Sequence, residues 1–196
     1  MGIEFELKFR ATSQMQNDLR AAIAAEESIY KMETTYYDTS DGALSACHRT
    51  LRRRQENERS VCTLKLPAAA GAREEFEVDS PDIFSALPEL CKLSGLEELS
   101  SLTKETLLPI CGARFTRVAK TVRLPDCTVE VAFDEGILSG GKQTIPLCEV
   151  EFELKEGNRS TAIAYALSLA AQFDLQQEHK SKFRRALALA KGENHG

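Results

Sequence analysis

Carboxylates recur at alternate positions in several stretches of the sequence: Glu4 and Glu6, Glu75 and Glu77, and Glu149, Glu151 and Glu153, with Asp134 following Glu130 in another. Basic side chains share the alternation at Lys8 and Arg10, at Arg52 and Arg54, at Lys65, and at Arg73 ahead of Glu75. In an extended chain residues i and i+2 point to the same side, about 6.5–7 Å apart. Acidic pairs from the two ends of the chain, with Asp134, therefore make an oxygen-only ligand set if their strands meet. Such a set suits hard divalent cations, Mg2+ or Mn2+, rather than zinc. The basic groups alongside would face an anion that bridges to the metal, and arginine in particular matches phosphate bidentately. Cations around one or two metals are what phosphoryl transfer needs, because they neutralise the phosphate oxygens while a bound water becomes the nucleophile. A long polyanion such as triphosphate matches so many basic groups better than a monophosphate does.

These residues must be positioned by strands. Alternating segments bounded by Gly and Pro place strands near 2–10, 33–39, 48–57, 59–67, 72–79, 107–111, 113–124, 127–138 and 145–156. Each has one apolar and one charged face: Phe5, Leu7 and Phe9 oppose Glu6, Lys8 and Arg10, and Val150, Phe152 and Leu154 oppose Glu149, Glu151 and Glu153. Four helices are expected to cover the apolar faces: Gln14 to Glu26 capped by Ser13, a helix from Ser80 or Asp82 to about Ser94, Arg159 to Phe173, and Ser181 to Lys191. The plainest reading is an antiparallel sheet with helices behind and a solvated front. Two features argue for more. The charges sort by strand, and arginine is used where lysine would serve solubility. If the sheet closes, the charged faces line a barrel interior, which is then a ligand tunnel, because unpaired buried charge is too costly without ions to compensate it.

The chain has 196 residues and a net charge of −5, which excludes nucleic-acid binding by bulk charge. It is expected to be one domain over residues 1–196. No apolar stretch approaches the ~20 residues of a membrane span, and the start of the chain lacks the pattern of a signal peptide, so a cytoplasmic protein is expected. The six cysteines contain no CxxC pair and read as free thiols. His48, His179 and His195 have no ligand spacing, and half-buried packing is the default for Tyr36 and Tyr37. The run Arg52-Arg53-Arg54 has only two side chains on one face and no aromatic platform, which argues against RNA.

In this order the motifs resemble the CYTH superfamily, the triphosphate tunnel metalloenzymes. Glu4-Phe5-Glu6-Leu7-Lys8 is similar to the family's ExExK, Tyr36-Tyr37-Asp38-Thr39 to its second strand, Leu51-Arg52-Arg53-Arg54 to LRxR, and Thr63-Leu64-Lys65 to TLK. Arg73-Glu74-Glu75 is similar to RxE, Arg117 to the mid-chain arginine, and Glu130 to Asp134 to the strand of a metal-ligand Asp. Cys148-Glu149-Val150-Glu151 is similar to the late ExE, and Ser181-Lys182 with Arg185 to SKxxR. The resemblance covers residues 3 to about 188. Where many relatives carry a second basic residue after Arg117, this chain has Ala119.

The resemblance implies an α+β fold, a closed antiparallel eight-stranded β-barrel with helices packed outside. It implies that Glu4, Glu6, Asp134, Glu149 and Glu151 bind Mg2+ or Mn2+, and that Lys8, Arg52, Arg54, Lys65, Arg73, Arg117, Lys182 and Arg185 bind the phosphates. Glu4, Glu6, Lys8 and Glu151 form the catalytic set. Glu75, Glu77, Glu130 and Glu153 share the lining and could position water or pair with arginines. The implied activity is hydrolysis of inorganic, nucleoside or another organic triphosphate. Two alternatives are an adenylate cyclase on the same scaffold and a non-catalytic polyphosphate or nucleotide-binding module. The implied partner is a small triphosphate, with no nucleic-acid polymer and no membrane, and dimers occur among relatives. A helix beginning at Ser181-Lys182 is expected to lie across one tunnel mouth as a lid.

Overall fold

The structure, a computed structural model, describes residues 2–68 and 73–193, with side chains from residue 5 onward. In chain order its elements are β1 (Gly2–Glu4), β2 (Glu6–Arg10), α1 (Ser13–Ala22), β3 (Glu27–Thr39), α2 (Ala43–Ala46), β4 (Thr50–Glu56), β5 (Arg59–Pro67), β6 (Arg73–Asp79), α3 (Ile83–Ser94), β7 (Leu107–Arg123), β8 (Cys127–Gly140), β9 (Gln143–Gly157), α4 (Arg159–Gln172), β10 (Gln176–Gln177) and α5 (Lys182–Ala190). A 3-10 turn, Glu97–Ser101, precedes β7. The fold is α+β, with one large antiparallel sheet and five helices among the described residues. The sheet order is β1-β6-β5-β4-β3-β7-β8-β9-β2-β10. The closed ring of eight strands expected from the resemblance thus becomes a ten-strand order with two ends. One end strand, β1, continues directly into β2, the strand next to the other end: the two are one run broken only at Phe5, whose carbonyl still accepts from the Leu154 N–H.

The alternating sequence dictates which face each helix covers. Phe9, Val129, Val131, Phe133, Val150 and Phe152 point outward and bury against Leu19 and Ile23 of the α1 region and Ala162, Ala166 and Ala170 of α4. Leu51, Cys62, Leu64 and Phe76 do the same against Ile83, Ala86, Leu87 and Leu90 of α3. Burying each such large side chain contributes ~1.5–3 kcal/mol. A third cluster is on the opposite face. Met32, Ala113, Phe115, Leu138 and Leu147 pack against Ala186 and Leu189 of α5. Phe115 and Arg117 are two residues apart on β7, so α5 lies on the charged face of the sheet, not outside it. At Gly140 the strand meets the Ala186 carbonyl and Ala190 N–H so closely that a Cβ has no room.

Several boundaries differ from the sequence expectation. α1 starts at Ser13 because Thr12, one residue earlier, caps it through the Met15 N–H, and it ends at Ala22 rather than Glu26. Its end is fixed by Lys120, which donates to the carbonyls of Arg20 and Ile23 at 2.7 and 2.8 Å. β3 consequently begins at Glu27, well before residue 33. The strands expected at 107–111 and 113–124 are one strand, since Gly112 stays in the ladder opposite Thr35 and Ser139. The helices at Ile83–Ser94, Arg159–Gln172 and Lys182–Ala190 match within a few residues. α2 was not expected: the buried Asp38 carboxylate caps its start by accepting from the N–H groups of Leu44 and Ser45.

Candidate active site

Register brings three of the five expected acidic residues together, Asp134, Glu149 and Glu151, while Glu6 is opposite Glu153 and outside their cluster. Asp134 of β8 is opposite Glu149 of β9, and Glu151 of β9 is opposite Lys8 of β2. On the other side of β8, Asp134 is opposite Arg117 of β7. All these side chains point to the charged face, and Asp134 and Glu149 are 0% exposed. Carboxylate oxygens of Asp134, Glu149 and Glu151 lie within 4.8 Å of one another. Three buried carboxylates so close demand cations.

Three basic residues pair with these carboxylates, and a fourth, Lys8, stands beside them. Lys182, the first residue of α5, puts its ammonium 2.7 Å from Asp134 and 2.8 Å from Glu151, and also contacts Glu149. Arg117 donates to both oxygens of Asp134, from Nε at 2.8 Å and Nη2 at 2.7 Å, and reaches Glu151 at 2.5 Å. Arg185, one turn along α5, pairs with Glu149. Lys8 pairs with Glu6 at 2.6 Å. Burial opposes ionisation throughout, and the pairs decide the outcome. Burial pushes Glu149 up despite Lys182 and Arg185. Burial also acts on Glu151, but Lys182, Arg117 and Lys8 together hold it well below the ordinary carboxylate range. Lys8 and Lys182 resist the effect of burial and sit above the ordinary lysine value, because Glu6 and Glu151 face the first, and Asp134, Glu151 and Glu149 the second.

The remaining strands carry the basic wall. Arg52 and Arg54 of β4 are opposite Tyr36 and Thr34 of β3. Lys65 of β5 is ion-paired with the buried Glu75 of β6, and Thr63 donates to Glu77 at 3.1 Å. Arg73 reaches only the Thr50 hydroxyl, at 3.4 Å among the contacts described. Arg52 is 3.9 Å from Glu77 and Arg54 3.3 Å from Glu56, yet the Nε atoms of both are buried without a hydrogen-bond partner among the described residues. Burial, then the neighbouring guanidinium groups of Arg52 and Arg117, pushes Arg54 below the usual arginine value. Buried donors without acceptors, set among like charges, are what an anion would relieve.

Arg53 points the other way and bonds Ser60 and Gln55, as alternation requires. Glu130 and Glu153 sit with Lys155 at the more exposed rim. The Glu4 side chain lies outside the described residues; its backbone pairs with Arg73. Glu178 is a component that the strand pattern did not reveal. It is buried in the loop before α5, accepts from Arg10 Nε at 2.7 Å and from the Lys180 N–H, and lies 4.0 Å from Arg185. No periodicity marks a loop carboxylate.

An all-carboxylate set fits a hard divalent cation: Asp134, Glu149 and Glu151 offer only oxygens, at separations one ion can span. The arrangement thus combines a metal-competent acidic wall with a basic wall holding unsatisfied donors.

Comparison with known proteins agrees. The CYTH domain profile matches residues 2–187. An inorganic triphosphatase of Haemophilus influenzae is 31% identical over 192 residues, 95% of this chain and 54% of that protein, so the chain spans about half the length of that relative. A Hippeastrum protein named as a candidate adenylyl cyclase and described as having a dominant triphosphatase activity superposes with a TM-score of 0.65 at 18% identity, covering 100% of this chain and 98% of that one. A Pyrococcus horikoshii protein superposes with a TM-score of 0.66 at 19% identity, covering 96% and 99%. The fold, the register of the charged strands and the profile match together establish that this chain belongs to the CYTH domain family.

Proposed function

We propose that the protein is a metal-dependent triphosphatase acting inside a charged β-barrel. One observation carries the reading: the carboxylates of Asp134, Glu149 and Glu151 share a sheet face with Arg52 and Arg54, whose buried Nε groups have no acceptor among the described residues. A pure cation site needs no such arginines, and a pure anion site needs no such carboxylates. The likeness to an inorganic triphosphatase supports the hydrolytic reading. Closure of the sheet is supported by the shared run of β1 and β2, which pairs with β6 on one side and β9 on the other. Merging β1 with β2 and setting aside the two-residue β10 leaves the eight strands of the expected barrel.

In this reading Asp134, Glu149 and Glu151 hold Mg2+ or Mn2+, with Glu4 and Glu6 as further ligands from the N-terminal strand. A divalent cation there neutralises phosphate oxygens and lowers the pKa of a bound water. The same carboxylates hold the Lys182 ammonium at the start of α5; with a cation in its place there, Lys182 would be available to a phosphate. Arg52, Arg54, Lys65, Arg73 and Arg117 orient the chain of phosphates and neutralise charge as it shifts to the leaving group. Lys8 and Arg185 complete the basic lining.

An adenylate-cyclase reading has one observation in its favour. A cavity of about 480 Å3 is lined by Ser28, Tyr30, Ala119, Thr121, Arg123 and Glu130, several of them small, on the strand that carries Arg117 and on its two neighbours. Such a recess has room for an organic group attached to the triphosphate. Product analysis separates the readings: the purified protein is incubated with inorganic triphosphate or ATP and Mg2+ or Mn2+. Phosphate release supports the triphosphatase, cyclic AMP the cyclase, and tight binding without turnover a binding module.

A further inference from the structure

Gln16 is a polar residue of α1 on the outer side of the sheet, 4% exposed beside a helix face otherwise made of Leu19 and Ile23. Its amide Nε2 donates to the carbonyl of Asp134 at 3.1 Å and to the carbonyl of Glu149 at 2.9 Å. These residues are opposite each other on β8 and β9, and their side chains form two of the three corners of the carboxylate cluster. Gln16 thus uses both hydrogens of one nitrogen to tie together the two backbones that carry the site. Neighbouring contacts act on the same segment: the Ala11 N–H donates to Cys148 O at 3.1 Å, and Ser13 Oγ donates to Glu135 at 2.7 Å. A core-facing helix position usually takes an apolar residue, and burying an amide is costly unless its bonds are made.

We propose that Gln16 is a positioning residue that sets the spacing of the Asp134 and Glu149 carboxylates and thereby the affinity of the site for a divalent cation. The proposal rests on the metal-dependent reading above. Asp134 and Glu149 repel each other when both are ionised, and the β8–β9 pair can relieve that repulsion by spreading. A doubly donating amide behind the pair resists the spreading without adding a charge of its own. Losing a hydrogen bond made directly to a ligating group typically lowers metal affinity ~10- to 100-fold; Gln16 bonds the backbones that carry the ligands, which places its expected effect at the lower end of that range.

The test is Mn2+ binding to the substrate-free protein, read by electron paramagnetic resonance, alongside thermal melting. Gln16→Met keeps the length of the side chain and removes both donors. Leu19→Ala, in the same helix and fully buried, supplies a destabilised control. We expect Gln16→Met to weaken Mn2+ binding by about 10-fold or more, and Leu19→Ala to lower the melting temperature with Mn2+ affinity retained. If Gln16→Met does not fold, Gln16→Asn draws the amide back by one methylene and carries the same expectation. Wild-type affinity in the Gln16 variant, or equal weakening in Leu19→Ala, overturns the positioning role while the metal reading stands. Failure of the wild-type protein to bind Mn2+ overturns both.

Discussion

The Lys182 ammonium lies 2.7 Å from the Asp134 carboxylate, and both groups are buried. A lysine at the first position of a helix thus serves as counter-ion to strand residues distant in the sequence. It stands among the same three carboxylates that suit a divalent cation, so a cation bound there would compete with Lys182 for one set of oxygens. Lys182→Met leaves the cluster short of a cation. Breaking a buried pair in this way costs ~3–5 kcal/mol, and the variant is expected to melt well below wild type without metal. Adding Mn2+ should then raise its melting temperature by more than it raises that of wild type. An equal or smaller gain contradicts the competition.

Arg52 and Arg54 face the site and Arg53 faces Ser60 and Gln55. Arg52→Ala and Arg54→Ala are each expected to raise KM for triphosphate on the order of 10-fold or more, the worth of a hydrogen bond to a charged group. Arg53→Ala should change it little. Steady-state kinetics of the three variants check the assignment, because a one-residue slip of β4 would exchange the faces.

How much of this was legible in the sequence follows from the physics of alternation. Period two placed Glu149 and Glu151 on one face and Val150 and Phe152 on the other, and β9 presents them so. The pairing of Glu151 with Lys8 is tertiary, but alternation already puts both residues on charged strand faces. Sheet curvature was not legible. Phe115, Leu138 and Leu147 share alternation with Arg117, Asp134 and Glu149 and so fall on the charged face; what the alternation does not reveal is that α5 covers them there. A lid was therefore expected where α5 is packed into the core through Phe183, Ala186 and Leu189. Gln16 and Glu178 escaped because a buried polar residue in a helix or loop leaves no periodic trace.

Gly140 permits that packing. Gly140→Ala would drive a methyl group into the Ala186 carbonyl and Ala190 N–H. We expect it to lower the melting temperature and to impair turnover by displacing Lys182 and Arg185, since small-to-large changes at packed positions cost ~1–3 kcal/mol. Thermal melting and kcat measured together check it; a loss of neither contradicts the inner placement of α5.

Glu178 gives a pH prediction. Burial raises its pKa, but the Lys180 N–H, Arg10 and Arg185 outweigh burial and hold it below the usual carboxylate value. A carboxylate depressed in the folded state stabilises fully above its unfolded pKa of about 4.3, and this stability is lost as pH falls through the folded value. Glu178→Gln is therefore expected to be less stable than wild type at pH 7. The gap should close as pH falls below about 4. Urea unfolding across that range checks the sign, and a gap constant with pH contradicts it.

The most direct measurement is phosphate release from inorganic triphosphate by wild type and Glu151→Gln, each with Mg2+ or Mn2+ and with EDTA. Glu151 faces Lys182, Arg117 and Lys8 at once, and the substitution removes its charge while keeping its size. Metal-dependent turnover by wild type is expected, abolished by EDTA and reduced ~100-fold or more in the variant, a loss of about 2.7 kcal/mol of transition-state stabilisation. Near-normal turnover in EDTA, or an unimpaired Glu151→Gln enzyme, would contradict a metal held by Asp134, Glu149 and Glu151.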